Sequence, residues 1–205
     1  MKILNLYAGI GGNRKLWKGH EVTAIENNKE IAVIYKALYP NDTVIITDAH
    51  QYLLDHYKEF DFIWSSPPCQ THSSFRKNIC VRFRGTEPKY PDMTLYQEII
   101  FLKTHFEGLW VVENVKPYYI PLIDASTVID RHLFWSNFPI KESKIKREYW
   151  IRHSQIKQLQ EMHGIDLSKY KIKNKRQVLR NCVLPKLGAH IIKSALNFNK
   201  LNKND

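Results

Sequence analysis

Short apolar runs alternate with amphipathic stretches over the first two thirds of the chain, and no other feature constrains the fold as much. ILNLY (3–7) leads into a glycine turn. VTAIE (22–26) leads into NNKEIAVIYKALY, whose apolar residues recur at helical spacing. TVIIT (43–47) leads into AHQYLLDHY, and FDFIWSS (60–66) into a proline-cysteine stretch. TLYQEIIFLKTHF (94–106) reads as a helix and LWVVENV (109–115) as a buried strand. Near-continuous apolar strands separated by helices form a parallel sheet covered on both faces. The expected class is α/β, a mostly parallel, doubly wound sheet. Such sheets take ligands at the carboxyl ends of their strands.

The last third has a different character. RHLFWSNFPI (131–140) predicts a hairpin on the sheet edge. REYWIRHSQIKQLQEMHG (147–164) predicts a basic helix stopped by Gly164. KYKIKNKRQ reads as a basic connector. VLRNCVLPKLGAHIIKSALNF is apolar enough to pack back on the sheet, and LNKND reads as a frayed end.

A chain of 205 residues, 43% of them hydrophobic, can bury a core as one domain. No stretch approaches ~20 uncharged apolar residues, so no membrane span is expected. The start, MKILNLYAGIGG, has one lysine and a short apolar run. That run ends in glycines rather than a small-residue cleavage site, and it reads as a first buried strand. Cys69, Cys80 and Cys182 are odd in number and widely spaced. They suit neither a disulfide framework nor a zinc site, and a reducing cytoplasm is the simplest setting. The formal charge of +11 and a pI near 9.5 point to a polyanionic partner, most often nucleic acid. An ordinary solvated basic surface carries such charge too, so the site motifs must decide.

YAGIGG (7–12) follows the first strand. Gly9, Gly11 and Gly12 allow a tight turn and close approach of a ligand to the main chain. Glu26 ends the second strand, where an acid can accept bonds from both hydroxyls of a ribose. Asp48 ends the third, where a carboxylate can take an adenine amino group. A capping role alone would also explain Asp48. Glycine turn, acid, acid at successive strand ends is the layout of an adenosine site. The lack of a long phosphate loop favours S-adenosylmethionine over a dinucleotide. Pro67 and Pro68 stiffen the backbone before Cys69. Polar and basic residues follow it, a setting that can lower a thiol pKa and make a nucleophile. Glu113 closes the apolar LWVV run, costly unless paired or functional, and is a candidate proton donor or acceptor.

PPCQ with a serine three residues after Gln70, ENV, and YAGIGG together resemble the cytosine-5 DNA methyltransferase family. RHLFWSNFP is similar to its arginine-containing edge strand, and RQVLRNCVLP to its C-terminal asparagine-valine motif. The compact form looks most like phage or prophage members. The resemblance implies a Rossmann-like S-adenosylmethionine-dependent methyltransferase fold. It implies Cys69 adding to cytosine C6, Glu113 bonding N3 and the exocyclic amine, and Arg131 meeting the base carbonyl. It places Tyr7, Gly9, Ile10, Gly11, Gly12, Glu26, Asn27, Asp48, Ala49, Pro68, Asn181 and Val183 at the cofactor. Gln70, Ser73, Arg76, Lys77, Arg82 and Arg84 would meet DNA, on a mobile loop over 71–85, with the target base flipped out of the duplex. Residues 1–140 would then form the catalytic and cofactor-binding core, 141–175 a reduced DNA-recognition region, and 176–205 a segment returning to the core.

The chain departs from the family pattern at several places. His72 stands where an aromatic is usual, Asn27 where a large residue often follows the ribose acid, and Arg180 where a glycine precedes Asn181. His132 competes with Arg131 for the base-contacting position. Only about 35 residues, 141 to 175, occupy the place of a recognition domain, too few for a separate core. Relaxed sequence specificity follows, with phosphate contacts supplying most of the affinity. Double-stranded DNA is the expected partner, along with either a second copy of the chain or a separate specificity partner. The expected location is the cytoplasm of a bacterial or phage-infected cell, at the nucleoid. Three other readings compete: a tRNA cytosine methyltransferase, an inactive nucleic-acid-binding relative, and a redox or hydrolytic cysteine enzyme. The last has no CxxC and no clearly placed histidine partner.

Overall fold

A computed structural model describes residues 1–146 and 155–201. Among them, seven strands form one sheet: β1 (Lys2–Leu6), β2 (Glu21–Ile25), β3 (Thr43–Ile45), β4 (Phe62–Ser65), β5 (Leu109–Val115), β6 (Thr127–Ile129) and β7 (His132–Ser136). Their order is β3-β2-β1-β4-β5-β7-β6. The first five run parallel to one another, and β7 runs antiparallel to both β5 and β6. The expected parallel α/β sheet is present. The hairpin expected within 131–140 does not form: that stretch supplies the single strand β7, which lies inside the sheet, and its antiparallel partner β6 precedes it and forms the edge.

Period-two alternation sorts the strand side chains between two helical layers. Ile3, Phe62, Trp64, Val111 and Phe134 face α7 (Pro185–Leu201), which buries Leu187, Ile191, Ile192 and Ala195 against them. Leu4, Leu6, Ile63, Val112, Leu133 and Trp135 face the opposite layer. There they meet Leu53 of α2 (Ala49–His56) and Leu95, Ile99 and Leu102 of α4 (Thr94–His105). The central strands β1, β4 and β5 are largely apolar on both faces because both faces are covered. The remaining helices are α1 (Lys29–Leu38), the single turn α3 (Arg82–Arg84), α5 (Ile156–His163) and α6 (Lys175–Asn181).

Helix ends follow local chemistry. Asn28 caps α1 by accepting from the amides of Glu30 and Ile31. Gly164 ends α5 in the left-handed region at φ 59°. The first part of the basic helix expected over 147–163 lies outside the described residues, as does most of the LNKND end. The C-terminal segment packs back as expected, broken into α6 and α7 around Pro185 at the first position of α7. The stretch expected as a loop after Ser73 is instead helical: a π-turn over Arg76–Val81 runs into α3.

The described part of 155–175 docks on the sheet domain. Leu159, Ile165 and Leu167 share a buried cluster with Ile10, Ile34 and Leu179. In KYKIK, Tyr170 and Ile172 pack on that cluster while Lys169, Lys171 and Lys173 are exposed. Lys15 donates to the carbonyls of His163 and Gly164, tying the turn after the glycine loop to the end of α5.

A 3₁₀ turn, Asn13–Leu16, lies directly on α7. The indole of Trp17 donates to the Gly188 carbonyl at 3.1 Å. A Cβ at Gly188 would lie 2.2 Å from the Asn13 carbonyl oxygen, so backbone would have to move. Gly188→Ala is expected to destabilise the fold by about 1–3 kcal/mol. It should be read as a lower urea midpoint at unchanged m-value.

Candidate active site

The parallel strands end at one edge of the sheet, and a cavity of about 330 Å³ lies there. That size suits a small-molecule site. Its walls bring together Tyr7, Gly9, Ile10 and Gly12 from the first turn and Glu26 and Asn27 from the second. Pro68, Cys69, Gln70, Glu113, Arg131, Asn181 and Val183 complete them from four further elements.

Gly9 adopts φ +54°, and a Cβ there would meet nothing within 4 Å, so the turn opens onto space. Its amide donates to Glu26 Oε2 at 2.9 Å, and the Asn28 amide donates to Oε1 at 2.9 Å. Each carboxylate oxygen keeps a further acceptor site, and Glu26 lines the cavity. A Cβ at Gly12 would lie 2.6 Å from the Val183 carbonyl oxygen, which is why the C-terminal segment can close on the glycine turn. The turn, the acid and the Asn181–Val183 wall fit an adenosine-bearing cofactor of the S-adenosylmethionine type. Asp48 and Ala49 are not in the cavity wall: Asp48 caps α2, accepting from the Gln51 amide at 2.8 Å. Gly11 also stands behind the wall, packed on the rings of Tyr35 and Tyr39.

The proline-cysteine loop is held by a residue whose role the motif hides. Asn114, 1% exposed, donates from Nδ2 to the Pro67 carbonyl at 3.0 Å. The Cys69 carbonyl then accepts from the amides of His72 and Ser73. Cys69 thus projects from a short turn fixed at both sides. Its thiol departs from expectation. Burial pushes its pKa up and Glu113 adds to this, while Arg131 and Arg180 pull the other way without prevailing. The basic residues that follow Cys69 in sequence, from Arg76 on, do not offset burial.

Burial also opposes ionisation of Glu113. His132, the Ser66 hydroxyl and Arg131 outweigh it and hold the carboxyl below the usual range. Glu113 Oε1 contacts His132 Nδ1. Arg131 donates to the Arg180 carbonyl at 3.1 Å, and its Nε is buried with no hydrogen-bond partner among the described residues. Arg131 and His132 both line the cavity, and His132 is the one bonded to Glu113.

Ser73, which bridges Pro117, lies outside the cavity wall, as do Arg76, Lys77, Arg82 and Arg84 on the helical excursion that follows it. Arg76 donates to the Glu87 carbonyl, and Lys77 lies over the Tyr118 ring. Arg82 and Arg84 are exposed on either side of an exposed Phe83. His72, which replaces the usual aromatic, packs among aromatics itself: 1% exposed, it bonds the Tyr119 hydroxyl and lies edge-on to Tyr96.

Sequence reasoning passed over Ser66, Asn114, and the buried Glu98. Glu98 accepts from Tyr7, at 2.6 Å, and from Ser65, and it contacts His50 at 3.1 Å. It thereby pins the glycine turn, where Tyr7 itself adopts φ 55°. The available signal was a glutamate within the apolar stretch of α4.

The fold and the cavity at its strand ends define an S-adenosylmethionine-dependent methyltransferase architecture. A methyltransferase from Entamoeba histolytica shares it, with a TM-score of 0.55 at 10% identity over 96% of this chain and 98% of that one. A profile for C-5 cytosine-specific DNA methylases matches residues 1–117, and the chain belongs to that family. Membership implies S-adenosylmethionine as methyl donor. A DNMT2 variant from Spodoptera frugiperda has a TM-score of 0.42 and 27% identity over 56% of this chain and 35% of that one. A prophage-encoded DNA modification methyltransferase from E. coli has a TM-score of 0.41 and 17% identity, over 58% and 33%. The chain therefore spans about a third of the length of these two relatives. No curated protein matches it significantly.

Because the Cys69 pKa is raised, its thiolate is scarce at neutral pH. Its alkylation by iodoacetamide, followed by peptide mapping, should rise only above the ordinary cysteine midpoint of about 8.5. A midpoint at or below that value would show a thiolate already stabilised in the free protein.

Proposed function

We propose that this protein transfers a methyl group from S-adenosylmethionine to C5 of cytosine in double-stranded DNA. One observation carries the reading: Cys69, Glu113 and Arg131 share a single cavity with the Gly9 turn, Glu26 and Asn181. The cofactor, when bound, supplies an electrophilic methyl group. Glu26 and the Gly9 turn hold its adenosine end, with Asn27, Asn181 and Val183 as walls. Tyr7, Ile10, Gly12 and Pro68 complete the enclosure.

Cytosine C5 is a weak nucleophile within its ring. Addition of the Cys69 sulfur to C6 breaks the C5=C6 π bond and makes C5 enamine-like. Glu113 bonds N3 and the exocyclic amine, and Arg131 meets the base carbonyl, where charge develops. After methylation, solvent water takes the C5 proton, the C–H electrons re-form the C5=C6 bond, and the C6–S bond breaks to release Cys69 as thiolate. The base must leave the duplex to reach a cavity at the sheet edge. Because burial disfavours the thiolate, the sulfur depends on base entry and the flanking cations Arg131 and Arg180 for activation.

Arg76, Lys77, Arg82 and Arg84 meet phosphates, and Gln70 and Ser73 lie at the base side. The exposed lysines of 169–173 extend the basic surface. Sequence discrimination is short, since the described part of 155–175 is docked on the core. Either a second copy or a separate specificity partner extends it. No helix among the described residues is long and apolar enough to cross a membrane. The nucleoid of a bacterial or phage-infected cell is the corresponding setting.

A second reading keeps the chemistry and replaces DNA by tRNA. The docked recognition segment with its exposed lysines favours it, because RNA is often read by shape. A third, a nucleic-acid-binding relative without turnover, would show cofactor binding alone.

Labelled methyl transfer to mixed-sequence duplex DNA, with tRNA in parallel, separates these readings. Label on cytosine C5 of DNA is expected, falling to background in Cys69→Ala. Label confined to tRNA would overturn the substrate, and none in either would overturn catalysis. Replacing Arg82 and Arg84 by alanine should reduce the slope of log affinity against log salt by about two. Relative affinities among DNA sequences should stay unchanged in competition titrations.

A further inference from the structure

Glu113 must hold a proton to do what is proposed for it. N3 of cytosine carries a lone pair, so a carboxylate cannot bond to it favourably, whereas a carboxylic acid can. Yet Glu113 is held ionised by its surroundings in the free protein. The proton needs a source.

Sheet register supplies one. Glu113 lies opposite Phe134, and Val115 opposite His132, in the antiparallel β5–β7 pair. Glu113 and His132 are therefore diagonal neighbours on one face. Their side chains meet, Nδ1 to Oε1, at 6% and 2% exposure. Among the described residues, charged and titratable groups from three further segments face them. Cys69 comes from the loop after β4, together with the Ser66 hydroxyl. Arg131 and Asp130 come from the β6–β7 turn, and Arg180 from α6. Asn114, between Glu113 and Val115, is turned away to Pro67. Among these groups, histidine is the side chain whose ordinary titration lies near neutrality, at about 6.5.

We infer that His132 is a positioning residue that shares one exchangeable proton with Glu113 and so sets the protonation of the group facing the base. The inference rests on the reading of Glu113 given above. With the proton on the imidazole, the pair is an ion pair that fixes the carboxylate. As the sulfur–C6 bond forms and the C5=C6 π electrons move into the ring, the Nδ1–H bond breaks. Glu113 accepts that proton and donates it to N3. Expulsion of Cys69 reverses the flow, and the N3 proton returns to the pair. Once the pair has lost its proton at alkaline pH, N3 has no donor and the rate falls.

The pair titrates as a unit, so the test reads the unit. Histidine Cε1–H NMR titration should show His132 exchanging a proton between about pH 5 and 9. Its midpoint should fall by at least about one pH unit in Glu113→Gln, where the carboxylate no longer favours the imidazolium. An unchanged midpoint, or no titration in that range, overturns the pair. In methyl-transfer assays on DNA, the alkaline limb of kcat should move at least about one unit toward acid in His132→Gln. The same variant, checked by near-UV circular dichroism, must be folded. A uniform fall in rate with an unmoved limb would show a merely structural histidine and overturn the role. Absence of cytosine methylation by the unsubstituted chain would instead overturn the functional reading and the step at N3 with it. The NMR arm would still decide whether the proton-sharing pair exists.

Discussion

Parallel alignment of β1, β2, β4 and β5 is the constraint on which the rest of the structure depends. It sends four carboxyl ends to one edge, and each exit carries a working group. The glycine turn follows β1, Glu26 follows β2, the proline-cysteine loop follows β4, and Glu113 stands near the end of β5. The reversal of β7 adds a second supply. An antiparallel strand begins where its parallel neighbours end, so Arg131 and His132 arrive at the same edge from the start of β7. An all-parallel sheet of this size would have placed them at the opposite end.

Polar groups inside this frame mostly serve to hold the edge in shape. Asn114 fixes the Pro67 carbonyl, Glu26 joins the first and second turns through two amides, and Glu98 anchors Tyr7. Buried polar groups are costly unless bonded, and bonded ones admit few alternative geometries. The same reasoning explains why the segment 155–175 is docked rather than free. With so little chain, its apolar residues Leu159, Ile165 and Leu167 find burial only by joining Ile10 and Ile34. That docking places a basic surface beside the glycine turn, and Lys15 bridges the two.

The electrostatics of the cavity depend on burial as much as on neighbours. Cys69 is followed by arginines in sequence, but those side chains lie on a helical excursion outside the cavity wall. The cations that act on the thiol, Arg131 and Arg180, come from distant parts of the chain, and burial outweighs them. Glu113 shows the reverse balance, because His132, Ser66 and Arg131 converge on it.

The sequence by itself determined the sheet class, most of the strand and helix positions, and the residues at the strand ends. Those properties rest on local periodicity and turn chemistry, which adjacent residues carry. It also determined the family, through PPCQ, ENV and the glycine turn. Only the tertiary structure decided that β7 is interior and β6 the edge, that the stretch after Ser73 is helical, and that Asp48 caps a helix away from the cavity wall. It alone decided that His132 meets Glu113 and that Asn114 holds Pro67. These outcomes depend on strand register and on contacts between residues far apart in the chain, and neither leaves a mark on the local pattern.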